Sequence, residues 1–225
     1  MLHRIKTRLT EMERRLRTSF GDDISTPAGR RAAFWHFQLM DHAALRVAWT
    51  NLHRVAPGAW RSNQPSPRRL ARYRDMGIRT VINLRGADRF SPYLFEAEAC
   101  RALGLTLVDR RIYPRRLAEA EEYIALLDAF DAAERPLVMH CKSGADRAGL
   151  AAAFYLMHVE GAPVAEARRQ LGPRYLHFRT ATTGVLDYLL DRYAEDAARH
   201  PMSIRDWLAT RYDRERLSAD WSARR

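Results

Sequence analysis

Apolar positions between residues 52 and 199 fall into short β-rich runs that alternate with longer runs at helical spacing. Leu52 to Trp60 reads as a strand and turn. Pro65-Ser66-Pro67 starts a helix that runs to about Met76 and ends at Gly77. Ile78 to Leu84 is a buried, β-rich run of the parallel-sheet kind. Pro92 to Leu103 is a helix closed by Gly104, and Leu105 to Ile112 is the next strand. Leu117 to Ala133 is an amphipathic helix, Pro136 to His140 a strand, and Ala148 to His158 a helix. Helices over Val164 to Leu171, Thr180 to Arg199 and Ile204 to Tyr212 complete the chain. Strands alternating with helices predict an α/β protein, with a central, mainly parallel sheet flanked by helices and additional terminal helices.

The N-terminal part follows a different pattern. Leu2, Ile5, Leu9, Met12 and Leu16 have helical spacing with basic residues between them. Residues 18–29, with Gly21, Pro27 and Gly29, read as a linker. Residues 30–55 read as an aromatic, apolar helical stretch. The expected division is a basic helix and linker over 1–29, the main domain over 30–199, and a helical extension over 200–225 packed on it. The longest apolar run, Ala148 to Val159, falls short of the ~18 residues that span a bilayer.

The formal net charge of +11 changes this picture in one respect: it implies anionic partners. Charge alone does not choose among phospholipid, phosphoprotein and nucleic acid, of which nucleic acid is least expected. Of the 38 basic residues only Lys6 and Lys142 are lysine. The basic helix at residues 2–17 either lies on an anionic membrane or docks on its own domain. His36, His42 and His53 share no metal-ligand spacing, and read as surface or capping histidines. No metal and no cofactor are expected. The only cysteines are Cys100 and Cys141, which is no disulfide framework and fits a reducing cytosol. Cys100 reads as helix packing, or else as the partner in a bond protecting an oxidised Cys141. With charges throughout Met1 to Arg17 there is no secretory pattern, so a cytoplasmic protein is expected, with peripheral membrane contact as an open alternative.

The candidate chemistry sits in His140-Cys141-Lys142-Ser143-Gly144-Ala145-Asp146-Arg147, between the strand that ends at His140 and the helix that opens at Ala148. Strand, tight loop and helix are the layout of a phosphate cradle: backbone N–H groups point inward and the helix dipole adds positive potential. Such a field favours the thiolate of Cys141, the nucleophilic form. Arg147 can hold two phosphoryl oxygens with its planar fork. Gly144 permits close approach and φ > 0. Lys142, Ser143, Gly144 and Ala145 would supply loop N–H groups, and Lys142 either meets a second phosphate or is solvated. Arg85, at a strand's carboxyl end, is either a substrate phosphate contact or a surface arginine.

The His-Cys-(five residues)-Arg motif resembles that of the cysteine-dependent protein tyrosine phosphatase superfamily. The form His-Cys-Lys-Ser-Gly-Ala-Asp-Arg is most similar to its dual-specificity branch, with its bacterial members and lipid phosphatases. Arg61-Ser62-Asn63-Gln64-Pro65 and Gly77 to Arg85 resemble the opening helix and first core strand of that branch, so the likeness covers about residues 50–195. It implies a phosphomonoester hydrolase acting through phosphocysteine, on phosphotyrosine by default. A phosphorylated protein, a phospholipid or an inositol phosphate would be the substrate.

Two departures from the family pattern bear on the activity. The family's acid is an aspartate on a loop about thirty residues before the cysteine. Asp109 stands 32 positions before Cys141 but inside the expected strand, and Tyr113-Pro114-Arg115-Arg116 carries no carboxylate. Asp146 stands immediately before the loop arginine, where some relatives carry an aspartate thought to be their acid, and is the first candidate here, with Asp109 the alternative. Ala148 replaces the hydroxyl that often follows the arginine and helps the thiolate leave. Slow turnover, or a phosphate-binding pseudophosphatase, therefore stays open. A rhodanese-like sulfur transferase fits the loop length less well, and an RNA triphosphatase is a further alternative within the superfamily.

Overall fold

The computed structural model describes residues 19–46 and 48–224. The expected basic helix at residues 2–17 lies outside the described residues. Five strands form one sheet: β1 (His53–Ala56), β2 (Ala59–Asn63), β3 (Thr80–Asn83), β4 (Thr106–Asp109) and β5 (Leu137–Cys141). Their spatial order is β1-β2-β5-β3-β4, antiparallel only between β1 and β2 and parallel elsewhere. The mainly parallel α/β sheet is thus as expected, and the loop strand β5 is its centre.

The period of two along β5 sorts its side chains. Leu137, Met139 and Cys141 face the larger apolar cluster, and Val138 faces the smaller one. The smaller cluster lies under α2 (Pro67–Asp75) and α3 (Ser91–Leu103), through Leu70, Tyr73 and Cys100. The larger cluster is covered by α4 (Ala120–Ala132), α5 (Asp146–His158), α7 (Val185–Arg199), α8 (Ile204–Thr210) and α9 (Arg214–Ala223). The short α6 (Val164–Ala167) leads from α5 into two 3₁₀ turns, Arg168–Gln170 and Pro173–Tyr175. Helix α5 is buried from Ala148 to Met157, which suits a helix apolar on every face. Its small residues allow this: a Cβ on Gly149 would meet Gln170 O at 2.8 Å. The C-terminal helices are pinned by Trp207, fully buried, whose indole N–H donates to Asp196 Oδ2 at 2.8 Å.

Local chemistry sets the boundaries. Ser66 caps α2 ahead of Pro67, Gly104 closes α3 in the left-handed region, and Glu119 and Glu122 form a capping box on α4. Two expectations need correction. Arg61-Ser62-Asn63 belongs to β2, not to an opening helix; these polar residues are buried because they face the loop. The stretch 30–55 is not one helix. Helix α1 (Pro27–Trp35) passes into a π-helical turn (His36–Met40) and a 3₁₀ turn (Ala43–Arg46). His42 takes a positive φ of 57°, just past the π-helical turn, and Asn51 takes 47° in the irregular stretch before β1. No helix among the described residues is long and apolar enough to cross a membrane.

Candidate active site

Cys141 is the last residue of β5 and Asp146 the first of α5, so the loop between them lies at the carboxyl edge of the sheet and at a helix N-terminus. The loop's shape is held from behind, one carbonyl at a time. Gln64 N–H donates to Lys142 O at 3.2 Å. Asn51 Nδ2 donates to Ser143 O at 3.2 Å and to Tyr175 O at 3.0 Å. Arg61 Nη2 donates to Gly144 O at 2.7 Å and to Ala145 O at 3.0 Å. With the carbonyls turned outward, the intervening amides are free to face the cleft. One already does so: Gly144 N–H donates to Cys141 Sγ at 3.3 Å.

Gly144 is required by two independent conditions. Its φ is +75°, and a Cβ there would lie 2.8 Å from Asn63 N and Ser62 C, both backbone atoms of β2. The loop is therefore pressed against its neighbouring strand. Arg61 makes this possible. It is fully buried, stacks 4.0 Å over the Tyr175 ring, and also donates from Nη1 to Gln170 O at 2.6 Å. Burial lowers its pKa to about 10, and the nearby Tyr175, Cys141 and Asp146 offset part of that cost.

In front of the loop lies a cleft of about 710 Å³ whose walls include Cys141, Lys142, Ser143, Asp146, Arg147 and Arg115. Thiol, guanidinium and carboxylate thus meet at one opening. Arg85 and Asp109 are elsewhere. Arg85 lines an adjacent cavity of about 220 Å³ and donates to Asp41 Oδ1 at 2.9 Å and Gln64 Oε1 at 2.7 Å. Asp109 accepts from Asn83 Nδ2 and from Tyr93 Oη, each at 2.8 Å.

Lys142 lines both the cleft and the adjacent cavity, with Nζ 3.8 Å from Asp41 Oδ1. Asp41 is buried and also takes Arg46 and Arg85. Burial alone would raise its pKa, but the charges of Arg85, Arg46 and Lys142 outweigh it and hold the carboxyl below its ordinary value. His140 is fully buried, with Nε2 2.6 Å from Glu96 Oε1. The approach is close but does not make a well-formed hydrogen bond. Glu96 Oε2 in turn accepts from Gln64 Nε2 at 2.9 Å.

Asp146 has a partner that sequence spacing does not reveal. Its Oδ1 is 2.7 Å from His177 Nδ1, 31 residues away, and His177 Nε2 is 2.9 Å from Asp187 Oδ2. Burial pulls the His177 pKa down, but the hydrogen bonds and charges of Asp146 and Asp187 more than reverse this and raise it to about 9. His177 is therefore protonated at neutral pH and donates from Nδ1 to Asp146 Oδ1 and from Nε2 to Asp187 Oδ2.

A folded-state pKa raised above the unfolded value near 6.5 stabilises the fold fully below about pH 6.5. That contribution fades as pH rises through about 9. Wild-type melting temperature should fall between pH 7 and 10, and the His177→Gln protein should start lower and follow a flatter curve. Parallel curves in a thermal melt series would refute the assignment.

His36 is buried, not a surface residue: its Nδ1 is 2.7 Å from Ser91 Oγ and its ring stacks on Phe90. His42 lines the cleft, and His53 packs edge-on against Tyr175. Cys100 and Cys141 are free and belong to different apolar clusters, on opposite faces of the sheet. Burial pushes the Cys100 thiol up to about 12.

The fold and loop are of the kind found in the dual-specificity-like class of phosphatase domains. Residues 50–182 match the family model described as "Swiss Army Knife protein, DSP-PTPase phosphatase domain". The chain belongs to that family. Among known proteins it is similar to the dual specificity protein phosphatase TpbA of Pseudomonas aeruginosa PAO1, with 35% identity over 115 residues. That alignment covers 49% of this chain and 48% of TpbA, so the chain spans about half the length of the curated relatives it matches. In three dimensions it is similar to Tk-PTP in its active form, at a TM-score of 0.52 and 18% identity, over 64% of this chain and 98% of that one. A DUF442 protein of Shewanella putrefaciens CN-32 gives 0.51 and 18%, over 64% of this chain and 93% of that one. These two likenesses concern the fold.

Proposed function

We propose that the protein hydrolyses phosphomonoesters through a phosphocysteine on Cys141, acting on phosphotyrosine with dual specificity. The observation that carries this reading is the loop: its carbonyls are tied back by Gln64, Asn51 and Arg61, while the thiol and the Arg147 guanidinium share the cleft. The family membership and the likeness to a dual specificity phosphatase support it.

The Cys141 sulfur attacks phosphorus, the P–S bond forms and the P–O bond to the leaving group breaks. Arg147 and the loop amides take the charge on the phosphoryl oxygens. The leaving oxygen takes the proton that Asp146 carries on Oδ2 in the substrate complex, where the negative charge of the bound phosphate favours the protonated carboxyl; Oδ1 is engaged by His177. Water then attacks phosphorus with Asp146 accepting the proton, and the P–S bond breaks to release phosphate. The cleft wall from Pro114 and Arg115, where a mobile acid would stand, carries no carboxylate, which favours Asp146 in this role. Free, buried cysteines fit a cytoplasmic site of action.

A leaving-group comparison tests the acid. Asp146→Asn should cost about 10²-fold in kcat on phenyl phosphate, whose phenoxide needs a proton, and much less on p-nitrophenyl phosphate. Asp109→Asn should track wild type on both. The reverse pattern would transfer the role to Asp109.

A further inference from the structure

Beside the cleft, and sharing Arg46 with it as a common wall, is a further cavity of about 220 Å³, distinct from the one that Arg85 lines. Its polar lining includes Arg46, Arg68, Arg69, Arg72, Thr50 and Ser66, and no aspartate or glutamate lines it. Three of the four arginines come from the first turns of α2, whose N-terminal end adds positive potential at the same place.

The arginines differ in what they are already doing. Arg69 is structural: it donates to Asn63 Oδ1 at 2.5 Å and to Arg46 O at 3.3 Å. Arg46 is almost completely buried, with both Nη atoms on Asp41, yet its Nε is buried without a hydrogen-bond partner. That N–H is closed off from the cavity, so Arg46 gives the wall its charge rather than a free donor. Arg68 and Arg72 are exposed, one helical turn apart, and neither pairs with a carboxylate among the described residues. Like charges converging with no acid between them repel, unless an anion sits there.

The volume limits the occupant. It corresponds to about seven waters at liquid density and lies below the size of drug-sized pockets. A single tetrahedral anion fits within it. Guanidinium groups and a hydroxyl around a small space suit phosphate oxygens, which accept from arginine forks.

We propose that this cavity is a second anion site, taking a phosphate group separate from the one held by the Cys141 loop. This goes beyond the proposed hydrolysis and does not require it. The phosphate is either free or carried by a substrate that bears two, one in each cavity.

Calorimetric titration with inorganic phosphate tests the site without turnover. Wild type should bind two equivalents. Arg147→Ala should lose the loop site and keep the other. The double variant Arg68→Ala/Arg72→Ala should keep the loop site and weaken the other about tenfold or more. Both substitutions lie on an exposed helix face and put alanine, the best helix former, in place of arginine, so the fold should survive. Loss of all binding in Arg147→Ala, or two unchanged equivalents in the double variant, would overturn the proposal.

Matched peptides with one and two phosphates then identify the carrier. A lower KM for the doubly phosphorylated peptide that disappears in the double variant assigns the site to substrate. Equal KM values alongside the two calorimetric sites assign it to free phosphate.

Discussion

Replacing Cys141 by serine is expected to reduce turnover of p-nitrophenyl phosphate by about 10⁴-fold or more while leaving the melting temperature nearly unchanged. The argument is one of charge rather than size. Cys141 is only 2% exposed, at the inner end of the cleft, where it accepts the Gly144 N–H. A serine oxygen fits the same space and accepts the same hydrogen bond. It does not ionise near neutral pH, so the cradle has no anion to stabilise as a nucleophile. Wild-type enzyme quenched in acid during turnover should also carry phosphate on Cys141, detectable by mass spectrometry. A Cys141→Ser protein that still turns over at a tenth of the wild-type rate would remove the phosphocysteine step from the mechanism.

Arg61→Ala is the second large effect, and it should act on stability and rate together. The substitution leaves Gly144 O, Ala145 O and Gln170 O without the donors they face, in a region closed to water. An orphaned buried acceptor costs about 1–3 kcal/mol, and removal of the stacked guanidinium opens a void over Tyr175 as well. A loss of about 4 kcal/mol is expected from urea unfolding, a large fraction of the 5–15 kcal/mol typical of a domain. Protein that remains folded in the cold should be catalytically weak, because loop carbonyls released from behind can rotate into the cleft and displace the amides. Arg61→Lys should recover little, since one ammonium group cannot reach Gly144, Ala145 and Gln170 at once. A variant as stable as wild type would show that the loop holds its own shape.

The loop itself was legible in the sequence because its parts are contiguous. Cysteine, glycine and arginine follow a strand and precede a helix, and each has a role that depends on nearest neighbours. The alternation of apolar runs likewise predicts the sheet, because a buried parallel strand such as Thr80–Asn83 reads as an apolar or β-branched block. The frame around the loop was not legible. Asn51, Arg61, His177 and Asp187 meet the loop only through the order of strands and the path of the chain after α5. One signal was present: Arg61-Ser62-Asn63-Gln64 is a polar run where a core strand would be apolar. A polar run in the middle of a sheet implies something polar to hold, and here that is the backbone of the loop.

Residues 30–55 misled for a related reason. Their aromatic content suggests a helical stretch throughout, yet helical turns end at Arg46, where Asp41 and Arg46 turn inward to form an ion pair between the cleft and the adjacent cavity. Asp109 illustrates the limit of spacing alone. It has the separation from Cys141 that the family's acid has, but its side chain is committed to Asn83 and Tyr93.

Asp41 and Asp187 lie on either side of the span that matches the family model, and each ends a chain of contacts that begins at the loop. The working unit is therefore wider than the segment by which the family is recognised. Cut at those borders, the fragment would keep every residue of the motif and lose the carboxylates that balance Arg85 and Lys142 on one side and His177 on the other. Ancestry can be read from the middle of this chain, whereas part of the charge balance around its loop is drawn from the flanks.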